Sequence, residues 1–318
     1  MSDKPALIAD IGGTHVRFAL VRKGEEPANV VILRCSDYVG PAEAAEAYLR
    51  AMDGSGRPER AAFAIASPIL GDRVAFTNSQ WDFSIGDVER ALGLERLHVV
   101  NDFTAVALSI PHLAARDLVK VGGGEKAAAA PMAALGPGTG LGVSALVPAA
   151  DGRWVPLASE GGHVTMAAAD DKEAAILSWL RRRGGHVSAE RVLSGPGLVN
   201  VYEAVAAVNG RQAVHKTPET ISQRAVDGTC PISGEALGIF FGMLGTVAGN
   251  LALTLGARGG VYVAGGILPR MVEAFAASAF RDRFEDKGRF RPYLEAIPTW
   301  LIVHPQPAFA GLAGLATE

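Results

Sequence analysis

Three glycine-rich turns, a strand-end Asn-Asp pair and a Glu-Gly-Gly-His cluster are the parts of this chain whose residue types and spacing could do chemistry. The turns are Asp10-Ile11-Gly12-Gly13-Thr14, Gly136-Pro137-Gly138-Thr139-Gly140 and Ala264-Gly265-Gly266. Glycine lets backbone N–H groups approach an anion closely, so each turn could cradle a phosphate. None is a Walker A loop, and the first two are followed by strand patterns rather than the helix of a dinucleotide-binding turn. Any one of them could be an ordinary tight turn. Three at the ends of apolar strands, two bearing a Thr hydroxyl, point to phosphate.

The remaining candidates are carboxylates, amides and imidazoles. Asp10 ends a strand beside the first turn, where it could hold Mg²⁺ or its waters, or simply cap the turn. Asn101-Asp102 closes the strand Leu97–Val100 and opens a helix. Both residue types favour helix N-caps, but the carboxyl end of a sheet strand is also where α/β proteins place ligands. A general base for phosphoryl transfer need only orient a hydroxyl and accept its proton late, which a strand-end Asp can do. Glu160 and His163, separated by two glycines, could reach one small polar ligand and each bond two neighbouring hydroxyls. No third ligand stands at metal spacing from them. Glu190 reads equally as an acid in the first turn of a helix. His15, His98, His112, His186, His215 and His304 stand alone and read as surface or structural.

The elements that must position these residues alternate. Residues 6–11, 15–21 and 29–34 read as strands, Pro41 opens a helix, and a strand follows at 60–66. A helix at 85–92, a strand at 97–100 and a helix after Asp102 complete the first half. The alanine run 127–130 reads as a loop or spacer near a domain boundary. Strand 132–135, turn 136–140 and strand 141–147 then repeat the opening strand–turn–strand unit. Helical spacing dominates 171–257, broken by Gly184-Gly185, Ser194–Gly197 and Pro231, before a last strand at 260–265 and a helix near Pro269. Strands followed by helices indicate an α/β fold.

Bulk properties exclude other classes. The 318 residues carry a formal charge of −3, with 49% hydrophobic and 20% charged residues, so no basic face awaits nucleic acid. Two isolated cysteines, Cys35 and Cys230, imply a reducing compartment without structural zinc. The N-terminal residues lack the pattern of a secretory signal. Residues 236–257 are uncharged and long enough to span a bilayer, but their glycines and polar Thr246, Asn250 and Thr254 favour a buried helix.

Seven segments, DIGGTHVRFAL, ASPILGDRVAFTN, VVNDFTAVALSI, LGPGTGLGVSAL, SEGGHVTMA, ERVLSGPGLVNVYEA and GGVYVAGGILPR, together resemble the bacterial glucokinase family of the actin–hexokinase–heat-shock ATPase superfamily. The resemblance runs from Leu7 to the C-terminus. It implies a two-domain, ribonuclease H-like, actin-type ATPase fold with an interdomain cleft that closes on sugar. The domains would be residues 1–111 with 305–318, and residues 112–304. It implies ATP and Mg²⁺ as cofactors. Asp10, Gly12, Gly13 and Thr14 would form the first phosphate segment, Gly138, Thr139 and Gly140 the second, and Gly265-Gly266 the adenosine segment. Asp102 would be the catalytic base, with Asn78, Asn101, Asp102, Glu160, His163 and Glu190 contacting sugar. Two departures stand out: His15 where the family usually has Asn, and Thr165-Met166 where an acidic–aromatic pair is usual. The zinc-binding cysteines of the repressor/kinase branch are absent, which points to the zinc-free branch. The expected activity is transfer of the γ-phosphoryl of ATP to the 6-hydroxyl of glucose, the first step of glycolysis, by a cytoplasmic homodimer with no nucleic-acid or membrane partner. Other hexoses (mannose, fructose, N-acetylated sugars) and a non-enzymatic sugar sensor on the same scaffold are the alternatives. The sensor usually carries an added helix-turn-helix, for which a phosphate turn beginning at residue 10 leaves no room.

Overall fold

The computed structural model describes residues 4–52, 56–76 and 81–317. They form two units, Met1–Ala114 with His304–Glu318, and Ala115–Val303.

The first unit begins with strands β1 (Ala6–Ile11), β2 (His15–Val21) and β3 (Ala28–Arg34), then α1 (Pro41–Ala51) and β4 (Arg60–Ile65). A small hairpin of β5 (Arg73–Ala75) and β6 (Asp82–Ser84) leads into α2 (Ile85–Leu92), β7 (Arg96–Asn101) and α3 (Asp102–Ser109). The main sheet has the order β3-β2-β1-β4-β7, with β1–β3 antiparallel and β1, β4 and β7 parallel. β1 is apolar on both faces because both faces are covered. Leu7, Ala9 and Ile11 join Tyr48 of α1 and Val88 and Leu92 of α2 in one core. Ala6 and Ile8 join Ala105 of α3 and residues of the C-terminal helix in the other.

The second unit contains β8 (Leu118–Gly122), β9 (Met132–Pro137), β10 (Leu141–Pro148) and β11 (Trp154–Ser159), then α4 (Asp171–Gly184), α5 (Gly195–Val208), α6 (Pro218–Val226) and α7 (Pro231–Leu255). It continues with β12 (Val261–Val263), α8 (Val272–Ala276), α9 (Phe280–Glu285), α10 (Arg291–Glu295) and β13 (Thr299–Ile302). The chain then returns to the first unit as α11 (Pro307–Thr317). The second sheet has the order β11-β10-β9-β12-β13-β8. Here too an antiparallel meander, β9–β11, is extended by parallel strands, β12 and β13, with β8 added antiparallel at the edge. The repeated strand–turn–strand unit of the sequence is therefore the first hairpin of each sheet, β1/β2 and β9/β10.

Some sequence expectations shift. The alanine run is the loop between β8 and β9 inside the second unit, where Ala127 N–H donates to the Arg258 carbonyl at 3.0 Å. Ser194–Gly197 opens a helix as well as breaking one: the Ser194 hydroxyl accepts from Gly197 N–H at 2.9 Å and caps α5. β12 is not the last strand, and the segment near Pro269 is a single 3-10 turn, Leu268–Arg270, ahead of the short α8.

The uncharged 236–257 span is most of α7, and 67% of its most apolar window is buried. Its glycines serve close packing: a Cβ on Gly245 would lie 2.2 Å from the Phe280 carbonyl oxygen of α9. The helix is apolar all round because neighbours surround it.

Candidate active site

In the first unit the candidate groups gather at the carboxyl ends of the parallel strands. Asp10 is level with Ala64 on β4 and Val100 on β7, and Ile11 with Ile65 and Asn101. Two strand spacings thus separate Asp10 from the Asn101-Asp102 corner, about 10 Å. Asp10 faces Arg17 across the β1/β2 hairpin, and Arg17 Nη1 donates to Asp10 Oδ2 at 3.2 Å. Burial raises the Asp10 carboxyl above the ordinary carboxylate value, while Arg17 pulls the other way.

The Gly12–Thr14 turn is pinned from behind. Gly12 N–H donates to the His15 carbonyl at 3.0 Å, and Cys35 N–H donates to the Thr14 carbonyl at 2.9 Å. The buried Cys35 thiol donates to the Gly12 carbonyl at 3.5 Å. The Gly12 N–H is therefore committed within the turn, and any N–H offered to an anion comes from Gly13 or Thr14. Thr14 and His15 are exposed. Sequence reading missed Arg17 and Cys35. The antiparallel period of the β1/β2 hairpin would have found the first, and only the β2/β3 pairing the second.

At the β7/α3 corner the N-cap reading holds for Asn101. Its Oδ1 caps α3, accepting from Phe103 N–H at 2.9 Å and Thr104 N–H at 3.4 Å, which leaves its amide N–H groups as the donors for a ligand. Asp102 is the first residue of α3, half-buried, with Oδ1 accepting from Phe103 N–H at 2.8 Å. Asn78 lies outside the described residues.

The second unit builds a matching edge. Gly138 N–H donates to the Gly140 carbonyl at 2.8 Å, closing the turn between β9 and β10, and Thr139 is exposed at its tip. Gly265 takes a φ of +94° and packs so tightly on this turn that a Cβ would lie 2.2 Å from the Pro137 oxygen. The second and third glycine turns are thus neighbours at the ends of the parallel β9 and β12, as a nucleotide spanning both requires.

Glu160, His163 and Glu190 come together. His163 Nε2 is 3.9 Å from Glu160 Oε2, and its Nδ1 is 4.0 Å from Glu190 Oε1. A short ladder assembles them: Glu190 N–H donates to Gly162, Ala189 N–H to Val164 and Met166 N–H to Val187. Glu190 is not in the first turn of a helix, since α5 begins at Gly195. Its Oε2 accepts from Leu141 N–H at 2.9 Å, at the exit of the second glycine turn. The exposed Glu160 and His163 and the half-buried Glu190 offer an acceptor-rich rim suited to vicinal hydroxyls. Among the described residues no cluster of three or more His, Cys, Asp or Glu side chains is arranged to hold a metal ion. Thr165, one of the two departures, pairs with His186, Oγ1 to Nε2 at 2.9 Å, at the far end of the ladder.

The Asp10 carboxyl gives a pH-linked prediction. Its raised value means that the folded state holds the proton more tightly than the unfolded chain does. The stability this group contributes is present below the ordinary carboxylate value and is lost as pH rises through the raised one. Above that raised value ionised Asp10 therefore weighs against the fold. Asp10→Asn should keep or raise the thermal midpoint at pH 7 while lowering turnover about tenfold or more. A lower midpoint in thermal melts would contradict this assignment.

Comparison with known proteins places the chain. A glucokinase family model matches residues 7–318. The chain is 64% identical over 312 residues to a glucokinase of Paramagnetospirillum magneticum, covering 98% of this chain and 97% of that protein. It is 50% identical over 310 residues to a glucokinase of Aromatoleum aromaticum, covering 97% and 93%. Its backbone superposes on the crystal structure of a glucokinase from an Antarctic psychrotroph with a TM-score of 0.90, at 37% identity and 99% coverage of both chains.

Proposed function

The chain belongs to the glucokinase family and is an ATP-dependent glucose kinase of the two-domain actin-like fold, and from that premise we propose how its residues divide the work. Asp102 is the catalytic base, accepting the proton of the glucose 6-hydroxyl as its oxygen attacks the γ-phosphorus in line and the bond to the β,γ-bridging oxygen breaks, releasing ADP. Asn101 donates its amide to the sugar while its carbonyl caps α3. Glu160, His163 and Glu190 take ring hydroxyls, with Asn78 as a further sugar contact. Gly13 and Thr14 of the first turn, and Thr139 and Gly140 of the second, which the Gly138 N–H closes, present N–H and hydroxyl groups to the ATP phosphates. Gly265 packs on the second turn, and Gly266, whose Cβ position is open, leaves backbone room for the adenosine.

A partly accessible carboxylate beside a phosphate turn, with one oxygen facing Arg17, fits Mg²⁺, which keeps most of its waters and binds mainly through substrate phosphates. Asp10 would hold it through water, and the ion would offset phosphate charge. A cation there would also relieve the burial that disfavours the Asp10 charge.

The observation that carries this reading is the convergence of Glu160, His163 and Glu190, 30 residues apart in sequence, around one imidazole. An actin-like assembly ATPase has no use for such a set. The test is ADP release with a hexose panel: glucose-dependent turnover supports the reading, and equal turnover without sugar would falsify it. The free Cys35 and Cys230 and the burial of α7 support a cytoplasmic location. The homodimer rests on the family resemblance and is measured by light scattering.

A further inference from the structure

Within the second unit, Glu190 contacts both halves of the proposed site. Its Oε1 lies 4.0 Å from His163 Nδ1 on the sugar side. Its Oε2 accepts from Leu141 N–H at 2.9 Å on the nucleotide side, directly after the Gly138–Gly140 turn. Gly140 adds a constraint. A Cβ there would lie 2.5 Å from Glu190 Oε2 and 3.3 Å from its carboxyl carbon, with no backbone atom in the way. Gly140 does not have a positive φ, so its backbone accepts alanine. The absent side chain at 140 is thus the space that the Glu190 carboxylate occupies. A second tie runs the same way, from Gly195 N–H to the Gly138 carbonyl at 2.8 Å, so the 190–195 segment lies along the turn.

We infer that Glu190 is a positioning residue for the second phosphate turn as well as a sugar contact, so that turn and sugar rim set each other's geometry through this one carboxylate. The inference rests on the proposed sugar role of Glu190 and extends it. One oxygen anchors the turn, which fixes the plane of the carboxylate and hence the direction in which the other oxygen meets a hydroxyl. By linkage, whatever nucleotide bound at the turn does to sugar affinity, sugar does equally to nucleotide affinity.

The test is a substitution in the phosphate turn read out on sugar. Glucose binding is measured by calorimetry on nucleotide-free protein. Gly140→Ala should weaken it about tenfold or more, the scale of a misaligned charged hydrogen bond. Gly138→Ala, whose Cβ would meet nothing within 4 Å, should leave the glucose Kd within about twofold. If Gly140→Ala binds glucose as the parent does while Glu190→Ala does not, the coupling is wrong and the sugar role stands. If Glu190→Ala also binds glucose normally, both fall.

A second readout does not depend on the folding of the Gly140 variant. Glu190→Gln keeps a carbonyl for Leu141 N–H and Glu190→Ala does not. Expected is a KM for ATP within about twofold of the parent for Glu190→Gln and raised about tenfold for Glu190→Ala. An equal KM for ATP in both variants overturns the inference.

Discussion

Asp102→Asn is expected to lower kcat by about 10²–10⁴-fold, the usual contribution of a positioned general base, while glucose still binds. The variant separates chemistry from architecture. Asp102 is the first residue of α3, and its Oδ1 accepts from Phe103 N–H. The carbonyl oxygen of Asn can accept the same bond, and Asn is tolerated at a helix start. Neighbouring Asn101 remains to cap Phe103 and Thr104, so the corner should keep its shape. What disappears is the ability to accept the proton of the 6-hydroxyl. Steady-state ADP release gives kcat, and calorimetry with glucose gives binding. Retention of more than a few per cent of the parent kcat would remove Asp102 from the role of base. Loss of glucose binding in the same proportion would make it a sugar ligand first.

Why that corner was readable from sequence has a physical basis. Asn101-Asp102 follows a short apolar run and precedes a helical pattern, so a strand-to-helix junction is encoded within about ten residues. The first two glycine turns are equally local: each joins two apolar strands that pair with one another, β1 with β2 and β9 with β10. Asp10 and Gly12–Thr14 therefore landed where expected, at the end of β1. The doubled strand–turn–strand pattern likewise became one hairpin in each sheet.

Elements whose existence depends on distant partners were harder to see. β8 and β13 are five and four residues long and pair across some 180 residues, Thr299 with Gly122 and Ile302 with Leu118. Neither run carries enough alternation to announce a strand alone. α11 is apolar on nearly every side because it fills space against α3, β1 and β4, so no amphipathic period marks it. The proximity of Glu190 to Glu160 and His163 had no signal in spacing. It depends on a ladder between residues 162–166 and 187–190 with α4 looped out between them. Only the family resemblance brought those three residues together, and a local reading placed Glu190 in a helix that begins five residues later.

α7 shows the same limit on the side of stability, and it leads to the largest structural effect expected here. The helix shows no charge over 236–257, yet its packing ends on an ion pair supplied from elsewhere. Arg283 of α9 reaches Glu173 of α4, Nη1 to Oε1 at 2.8 Å, with the Glu173 side chain 2% exposed. The same guanidinium donates through Nη2 to Thr246 Oγ1 of α7 at 2.9 Å, so one side chain joins three helices. Glu173 also accepts from Ala169 N–H at 2.8 Å, which orients it but does not neutralise it. Arg283→Met keeps much of the side-chain volume and leaves that buried carboxylate without its ion-pair partner. Removing one partner of a buried pair costs about 3–5 kcal/mol, far more than the pair's net worth. Urea unfolding followed by circular dichroism should show a loss of that size. Adding Glu173→Met should restore a large part of it, because the unpaired charge is then gone. The kcat of the folded Arg283 variant should stay close to that of the parent, since none of the candidate catalytic groups lies on α4, α7 or α9. A loss below about 1 kcal/mol, or a double variant no more stable than Arg283→Met, would mean that water reaches Glu173 and that α7 is held by apolar packing alone.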